Sequence, residues 1–207
     1  RIIAPVVILA VVVGAGTIFL VTTEGGRDLL YKVGFKSYQF ARIDSWLDPF
    51  HDTSGMSYQP AQGLLAIGTG GLFGKGFNVS NIYVPVRESD MIFTVIGEEL
   101  GFIGCTVALL LLTLIALRCI SVGKKSREQS TNLICCGIAA MIASQMIINV
   151  GMCLMVLPVI GITLPFFSAG GSSNLCIYLG IGLVLSIYRH NCERETVSIK
   201  VYDSLRK

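Results

Sequence analysis

Charge is what this sequence has least of. Only 14% of its 207 residues are Asp, Glu, Lys or Arg, while 53% are hydrophobic. An ordinary soluble domain carries roughly a quarter charged residues, and the mean hydropathy of +0.70 points the same way, so a well-solvated globule is excluded. Sixteen Lys and Arg against thirteen Asp and Glu leave a net charge of +3. These charges are dispersed, and the lack of a basic stripe interleaved with aromatics excludes a nucleic-acid-binding role. CxxC spacing is also missing. Of the seven cysteines, Cys105, Cys119, Cys135, Cys136, Cys153 and Cys176 lie in or beside apolar blocks. They read as small core residues rather than a disulfide framework or a metal site. The first residue is Arg1, and apolar sequence begins at once with no small-residue cleavage site behind it. This predicts a chain that starts partway through a larger protein.

What the sequence does have is apolar runs of membrane-crossing length. Residues 2–21 supply about twenty apolar or small positions, enough helix at about 1.5 Å per residue to cross about 30 Å of hydrocarbon. Residues 102–122 form a second span, interrupted only by Arg118, which can snorkel. Residues 133–157 form a third, and 175–188 a shorter fourth that reaches only about 21 Å as helix. The 123–132 link carries Lys124, Lys125 and Arg127 against Glu128, and the 189–207 tail is mildly basic, which places both on the cytoplasmic side. Alternation then puts 22–90, a loop of about seventy residues, on the outer side. Its apolar, glycine-rich second half argues against disorder and predicts a short helix near Pro60 to Ile67. The outer link 158–174 contains Pro158, Pro165 and Gly170-Gly171, which break regular helix. Irregular backbone at membrane depth must be buried in protein or line a wet cavity. A short fourth span would sink its N-terminus into such a cavity, where the amides of Ser172 and Ser173 attract anions.

Several polar residues stand out against this background. Asp90 lies at the threshold of an apolar run. It reads either as a helix cap or as a cavity-facing general base or divalent-cation ligand, and the two readings are compatible. Arg87 reads as a phosphate clamp or as a solvated interfacial charge. Glu98 and Glu99 fall where carboxylates are costly and usually functional. On one straight helix Glu98 would stand about 12 Å along and about 80° around from Asp90, so the two cannot share a metal ion, and pairing of Glu98 with another span is the better reading. "GTGGLFGKGF" lacks the GK[ST] ending of a nucleotide loop and reads as a flexible turn carrying Lys75 towards the membrane surface. Gln145 and Asn149, four residues apart on one face, read as interhelical hydrogen-bonding residues. His51 reads as a solvated loop residue.

Four segments together resemble the SEDS family (shape, elongation, division and sporulation): "WLDP", "YQPAQGLLAIGTGGLFGKGF", "VPVRESDMIFTVIGEELGFIG" and "NVGMCLMVLPVIGITLPFFSAGGSS". The resemblance is nearer to the RodA type through "LPVIGITLPF". It implies an all-α integral membrane protein comprising four transmembrane helices of a ten-helix bundle plus a large, partly helical extracellular loop. It further implies a bacterial cytoplasmic-membrane glycosyltransferase that polymerises lipid II into glycan strands in elongation or division, with a class B penicillin-binding protein as partner. The family's essential aspartate aligns with Asp90, in the role of base or of ligand to Mg or Mn, and no organic cofactor is implied. Arg87, Lys75, Ser168, Gly170, Gly171, Ser172 and Ser173 are then the expected pyrophosphate neighbours. A lipid II flippase or a non-catalytic scaffold for a transpeptidase is the rival reading. The sequence departs from the family's "PERHTDF" at Val86, Glu88 and Ser89, and has Ala169 where many members have Tyr. The family's "QPSE" segment has no counterpart in this chain.

Overall fold

The computed structural model describes residues 16, 21, 23–50, 55, 57–79, 82–126 and 128–205. The expected span over 2–21 and His51 lie outside the described residues, apart from Gly16 and Val21. The described residues form six helices and no strand: α1 (Glu24–Val33), α2 (Ser37–Leu47), α3 (Tyr58–Gly70), α4 (Ile92–Lys125), α5 (Gln129–Cys153) and α6 (Gly171–Leu205). The chain divides into two compact units, Arg1–Ser57 and Tyr58–Lys207.

In the first unit α1 closes in a Schellman turn, with Phe35 N donating to Leu30 O and Gly34 N to Tyr31 O. The turn folds α2 back so that Phe40, 3% exposed, is covered by the rings of Tyr31 and Phe35. Arg27 lies over the same ring at 5.9 Å and pairs with Asp44. Both charged partners are partly exposed, so packing of the aromatics contributes more than the ion pair.

The second unit contains three helices long and apolar enough to cross a membrane: Ile92–Lys125, Gln129–Cys153 and, within α6, Gly171–Glu193. α4 packs along α5, and α3 lies against the beginning of α4. One core cluster joins Ala66, Met91, Phe93, Leu112, Met152 and Leu164, and a second joins Ala116, Cys119, Cys135, Ala139, Ile142 and Val184. Leu110, Leu111, Leu114 and Leu117 remain more than half exposed, as apolar side chains facing lipid or further helices do.

α4 starts ten residues before the apolar block at 102 because it is two helical segments in series. Gly101, at φ 66° and ψ −163°, adopts a backbone conformation essentially restricted to glycine. The break removes the helical bonds from Phe102 N to Glu98 O and from Ile103 N to Glu99 O, which would leave four polar groups unpaired in an apolar setting. The turn after α3 repairs all four. Lys75 N donates to Glu98 O (2.9 Å) and Gly76 N to Glu99 O (3.1 Å), while Phe102 N donates to Gly71 O (2.9 Å) and Ile103 N to Leu72 O (3.2 Å). The approach is so close that a Cβ on Gly74 would lie 2.1 Å from Glu99 O.

Three expectations change here. The helix foreseen near Pro60 to Ile67 is present and longer, as α3. The short fourth span of 175–188 is part of α6, because Ser172, Ser173 and Asn174 form its first turn: Asn174 N donates to Gly170 O at 2.9 Å, and Thr163 Oγ1 donates to Ser173 Oγ at 2.8 Å. The 23 apolar-region residues of this helix reach about 34 Å, so its length gives no reason for a sunken N-terminus. The span expected over 133–157 ends as helix at Cys153, where Val156 N and Leu157 N both turn back to Gly151 O and Pro158 follows.

Replacing Gly101 by Ala would force a side chain into the Gly-only conformation and place a Cβ 2.3 Å from Gly74 N. The backbone conformation alone costs about 1–3 kcal/mol. Thermal unfolding in detergent should show a Tm several degrees lower for Gly101→Ala. Gly182→Ala, which meets nothing within 4 Å, should leave Tm unchanged or slightly raised.

Candidate functional site

The loop that leads into α4, residues 82–91, is fastened from three directions. Gln59 Nε2, at the start of α3, donates to Pro85 O at 3.2 Å. Ala169 N, in the link before α6, donates to Glu88 O at 2.8 Å. Asn149 Nδ2, on α5, donates to Asp90 O at 2.8 Å and also to Ile162 O at 2.7 Å. Asn149 is fully buried, and its one amide therefore ties three segments together. Cys153, one turn further along α5, packs its Sγ 3.9 Å from Asp90 O and 3.9 Å from Met91 Sδ.

Asp90 does not cap α4. The cap position is Met91, and no side chain bonds the free amides there. The Asp90 carboxylate instead turns towards the link: a Cβ on Gly161 would lie 3.6 Å from its Oδ2, and Oδ1 is buried without a hydrogen-bond partner. A buried carboxylate oxygen lacking a donor is costly and is a place for a proton, a cation or a substrate hydroxyl. Among the described residues no three His, Cys, Asp or Glu side chains cluster to hold a metal by themselves. The orphaned oxygen does suit a hard cation that takes one carboxylate and completes its shell with water and phosphate oxygens.

The 82–89 loop that precedes Asp90 lines a cavity of about 660 Å³, with Tyr83, Arg87, Glu88 and Ser89 on one side and Ala169 across the gap. Val86 enters the loop at φ 54°, an uncommon conformation for a β-branched residue, and Ser89 N donates back to Val86 O. The loop is thus a tight, strained turn with Arg87 and Glu88 at its tip.

The remaining sequence candidates fall in three places. Ser168 is 3% exposed and works within the link: its Oγ accepts from Leu164 N at 2.7 Å, and its carbonyl accepts from Asn174 Nδ2 at 2.8 Å. Gly170, Gly171, Ser172 and Ser173 form the start of α6 next to Ala169, with Gly171 and Ser172 exposed. Lys75 is elsewhere, bonded to Glu98 Oε1 at 2.8 Å, so one partner of Glu98 lies on the turn after α3. The Glu99 carbonyl belongs to the same seam. Gln145 buries an unpaired Oε1 one turn before Asn149. Residue types did not single out Gln59, Cys153, Gly161 or Thr163. Only the Gln59-Pro60 pair at the head of a helical pattern carried a local signal.

An apolar groove of about 390 Å³ is lined by Ile67, Phe93, Phe102, Leu109, Val150 and Leu154 together with Gly68, Gly71, Gly97 and Gly101.

Removal of the Asn149 amide tests whether it holds the site. Asn149→Leu would leave Asp90 O and Ile162 O buried without their donor, at about 1–3 kcal/mol for each. Denaturant titration of the detergent-solubilised protein should show that loss, and unchanged stability would mean that the loop is fastened elsewhere.

With this geometry in view, the comparisons with known proteins are specific. The FtsW/RodA/SpoVE family profile, described as "Cell cycle protein", matches residues 2–193. A protein from Synechocystis sp. named "Probable peptidoglycan glycosyltransferase FtsW" is 35% identical over 93% of this chain and 50% of its own length. Stage V sporulation protein E of Bacillus subtilis is 40% identical over 74% of this chain and 43% of its own. A solved structure described as "Structural coordination of polymerization and crosslinking by a peptidoglycan synthase complex" superposes with a TM-score of 0.62 at 32% identity, over 79% of this chain and 46% of that one. The chain spans about half the length of the curated relatives it matches.

Proposed function

The chain belongs to the FtsW/RodA/SpoVE family, and from that premise we propose that the full-length protein is a peptidoglycan glycosyltransferase polymerising lipid II, with Asp90 at its reacting centre. The observation that carries this reading is the buried, unpartnered Oδ1 of Asp90, directly after the loop whose Arg87 lines the cavity. The names of the Synechocystis and Enterococcus hirae relatives support the activity.

In the proposed step the 4-hydroxyl oxygen of one lipid-linked disaccharide forms a bond to the anomeric carbon of another. The bond from that carbon to the pyrophosphate oxygen breaks with inversion, and the hydroxyl proton passes to the Asp90 carboxylate. Held between the Gly161 side of the link and the carbonyl anchored by Asn149, Asp90 has a fixed place, and its buried Oδ1 would have to be uncovered for the hydroxyl to reach it. Arg87, in the cavity lining, suits the departing pyrophosphate through paired hydrogen bonds, with the amides of Gly171 and Ser172, shortly after Ala169, as further donors. A divalent cation, Mg or Mn, would bind Asp90 Oδ1 and neutralise phosphate charge. The apolar groove beside α4 has a lining that suits a polyprenyl tail.

Within the family, our reading is a ten-helix bundle to which this chain would contribute four spans; that the chain covers about half of its relatives' length is in keeping with it. The segment "LPVIGITLPF" favours a RodA-type elongation role, whereas the matched relatives carry FtsW and sporulation names. The basic 123–132 link favours a cytoplasmic C-terminus. A class B penicillin-binding protein is the proposed partner, in keeping with the synthase complex of the solved relative.

Polymer formation from labelled lipid II, measured on the full-length protein with its transpeptidase, tests the reading. Asp90→Asn keeps the side-chain size, and polymerisation should fall by about a hundredfold or more with the partner still bound. Undiminished polymer would remove Asp90 from the reacting centre, and a wild-type complex that forms no polymer would leave a flippase or scaffold role in its place.

A further inference from the structure

The Lys75–Glu98 pair lies outside the cavity, in the seam where the turn after α3 enters the break in α4. Glu98 is 2% exposed and the Lys75 side chain 21%. Withdrawing both charges from water is costly unless each satisfies the other, so an ion pair here has to be explained by what it fixes. The turn around it has little other means of holding on. Glycine occupies positions 70, 71, 74 and 76, and Leu72, Phe73 and Phe77 point outward at 63%, 79% and 82% exposure. Lys75 is the side chain the turn sends inward. Without it, four backbone hydrogen bonds on a segment of high chain entropy would have to hold the seam.

What the seam holds is the far end of the segment that begins beside Asp90. Residues 92–100 form one short rigid helix of about 13 Å. Its first turn rests on α3, where a Cβ on Gly63 would meet Met91 Cε at 2.6 Å, and its last turn rests there again, where a Cβ on Gly70 would lie 1.9 Å from Gly97 O. A shift along α3 at Glu98 is therefore a shift of Asp90 relative to Gly161 and the cavity.

We propose that Lys75 and Glu98 are positioning residues for Asp90: their buried ion pair locks the end of the 92–100 segment onto the 71–76 turn and so sets where the Asp90 carboxylate stands. Lys75 is thereby assigned to the scaffold and not to the pyrophosphate. The inference rests on the reading that Asp90 acts on the substrate.

The test uses the full-length protein in complex with its transpeptidase, with polymerisation followed across a range of lipid II concentrations and backbone amide hydrogen exchange measured on the same samples. Lys75→Met should lower kcat at least tenfold with KM within twofold of wild type. It should also speed exchange at positions 75, 76, 102 and 103 while the rest of α3 stays protected. Lys75→Arg, which can keep the pair, should restore kcat to within threefold. A raised KM at unchanged kcat, or a seam that exchanges as in wild type, would overturn the proposal and return Lys75 to the substrate. Should Lys75→Met fail to assemble, Glu98→Gln replaces it: a smaller loss of kcat at constant KM supports the lock, and a change confined to KM overturns it. Asp90→Asn assayed alongside separates the two levels. An inactive Asp90→Asn beside a fully active Lys75→Met defeats the positioning role alone, whereas an active Asp90→Asn defeats the catalytic reading on which that role rests.

Discussion

The demand that every backbone amide and carbonyl be satisfied inside apolar surroundings governs this structure. A helix meets that demand by itself only while it remains continuous. α4 does not: at Gly101 it gives up two of its own hydrogen bonds, and the turn 71–76 supplies four in their place. That exchange decides where α3 ends, why the following turn is rich in glycine, and why two parts of the chain separated by some twenty-five residues meet backbone to backbone. The same demand recurs at the other end of the site. The link after α5 has proline where helix would have continued, and Asn149, Ser168 and Asn174 supply the donors and acceptors that its irregular backbone needs.

Both repairs converge on the loop before α4. Its carbonyls at Pro85, Glu88 and Asp90 are each taken by a different element, so the loop is held by its backbone. Arg87 lines the cavity, and one buried Asp90 oxygen has no partner. A site assembled in this way is rigid before anything binds, and preorganised electrostatics depend on such rigidity.

The apolar runs made the membrane class and three of the described helices legible in the sequence, because blocks near twenty residues leave few alternatives. The break in α4 at Gly101 was not legible. Glu98 and Glu99 stood out as costly carboxylates in an apolar helix, but a lysine twenty-three positions earlier pairs with the first of them, and no local pattern announces a pairing through a turn. Asn149 was recognisable as a polar residue that bonds between elements, but its acceptors are carbonyls of irregular segments and not a facing helix. Asp90 was conspicuous by type and place, yet whether it capped a helix depended on the direction of its side chain, which spacing does not encode. The polar start of α6 read as link because Ser172, Ser173 and Asn174 favour loops and caps in isolation. Here Thr163 and Gly170 give them partners.

Gly101 also separates what can drift in sequence from what cannot. On its far side, Leu110, Leu111, Leu114 and Leu117 face outward, towards lipid or further helices. On its near side Phe93, Thr94, Ile96, Gly97 and Glu98 are buried. Because the boundary is set by a backbone conformation that one residue type can adopt, the outward-facing half can exchange one apolar residue for another while the acid-bearing half keeps its register.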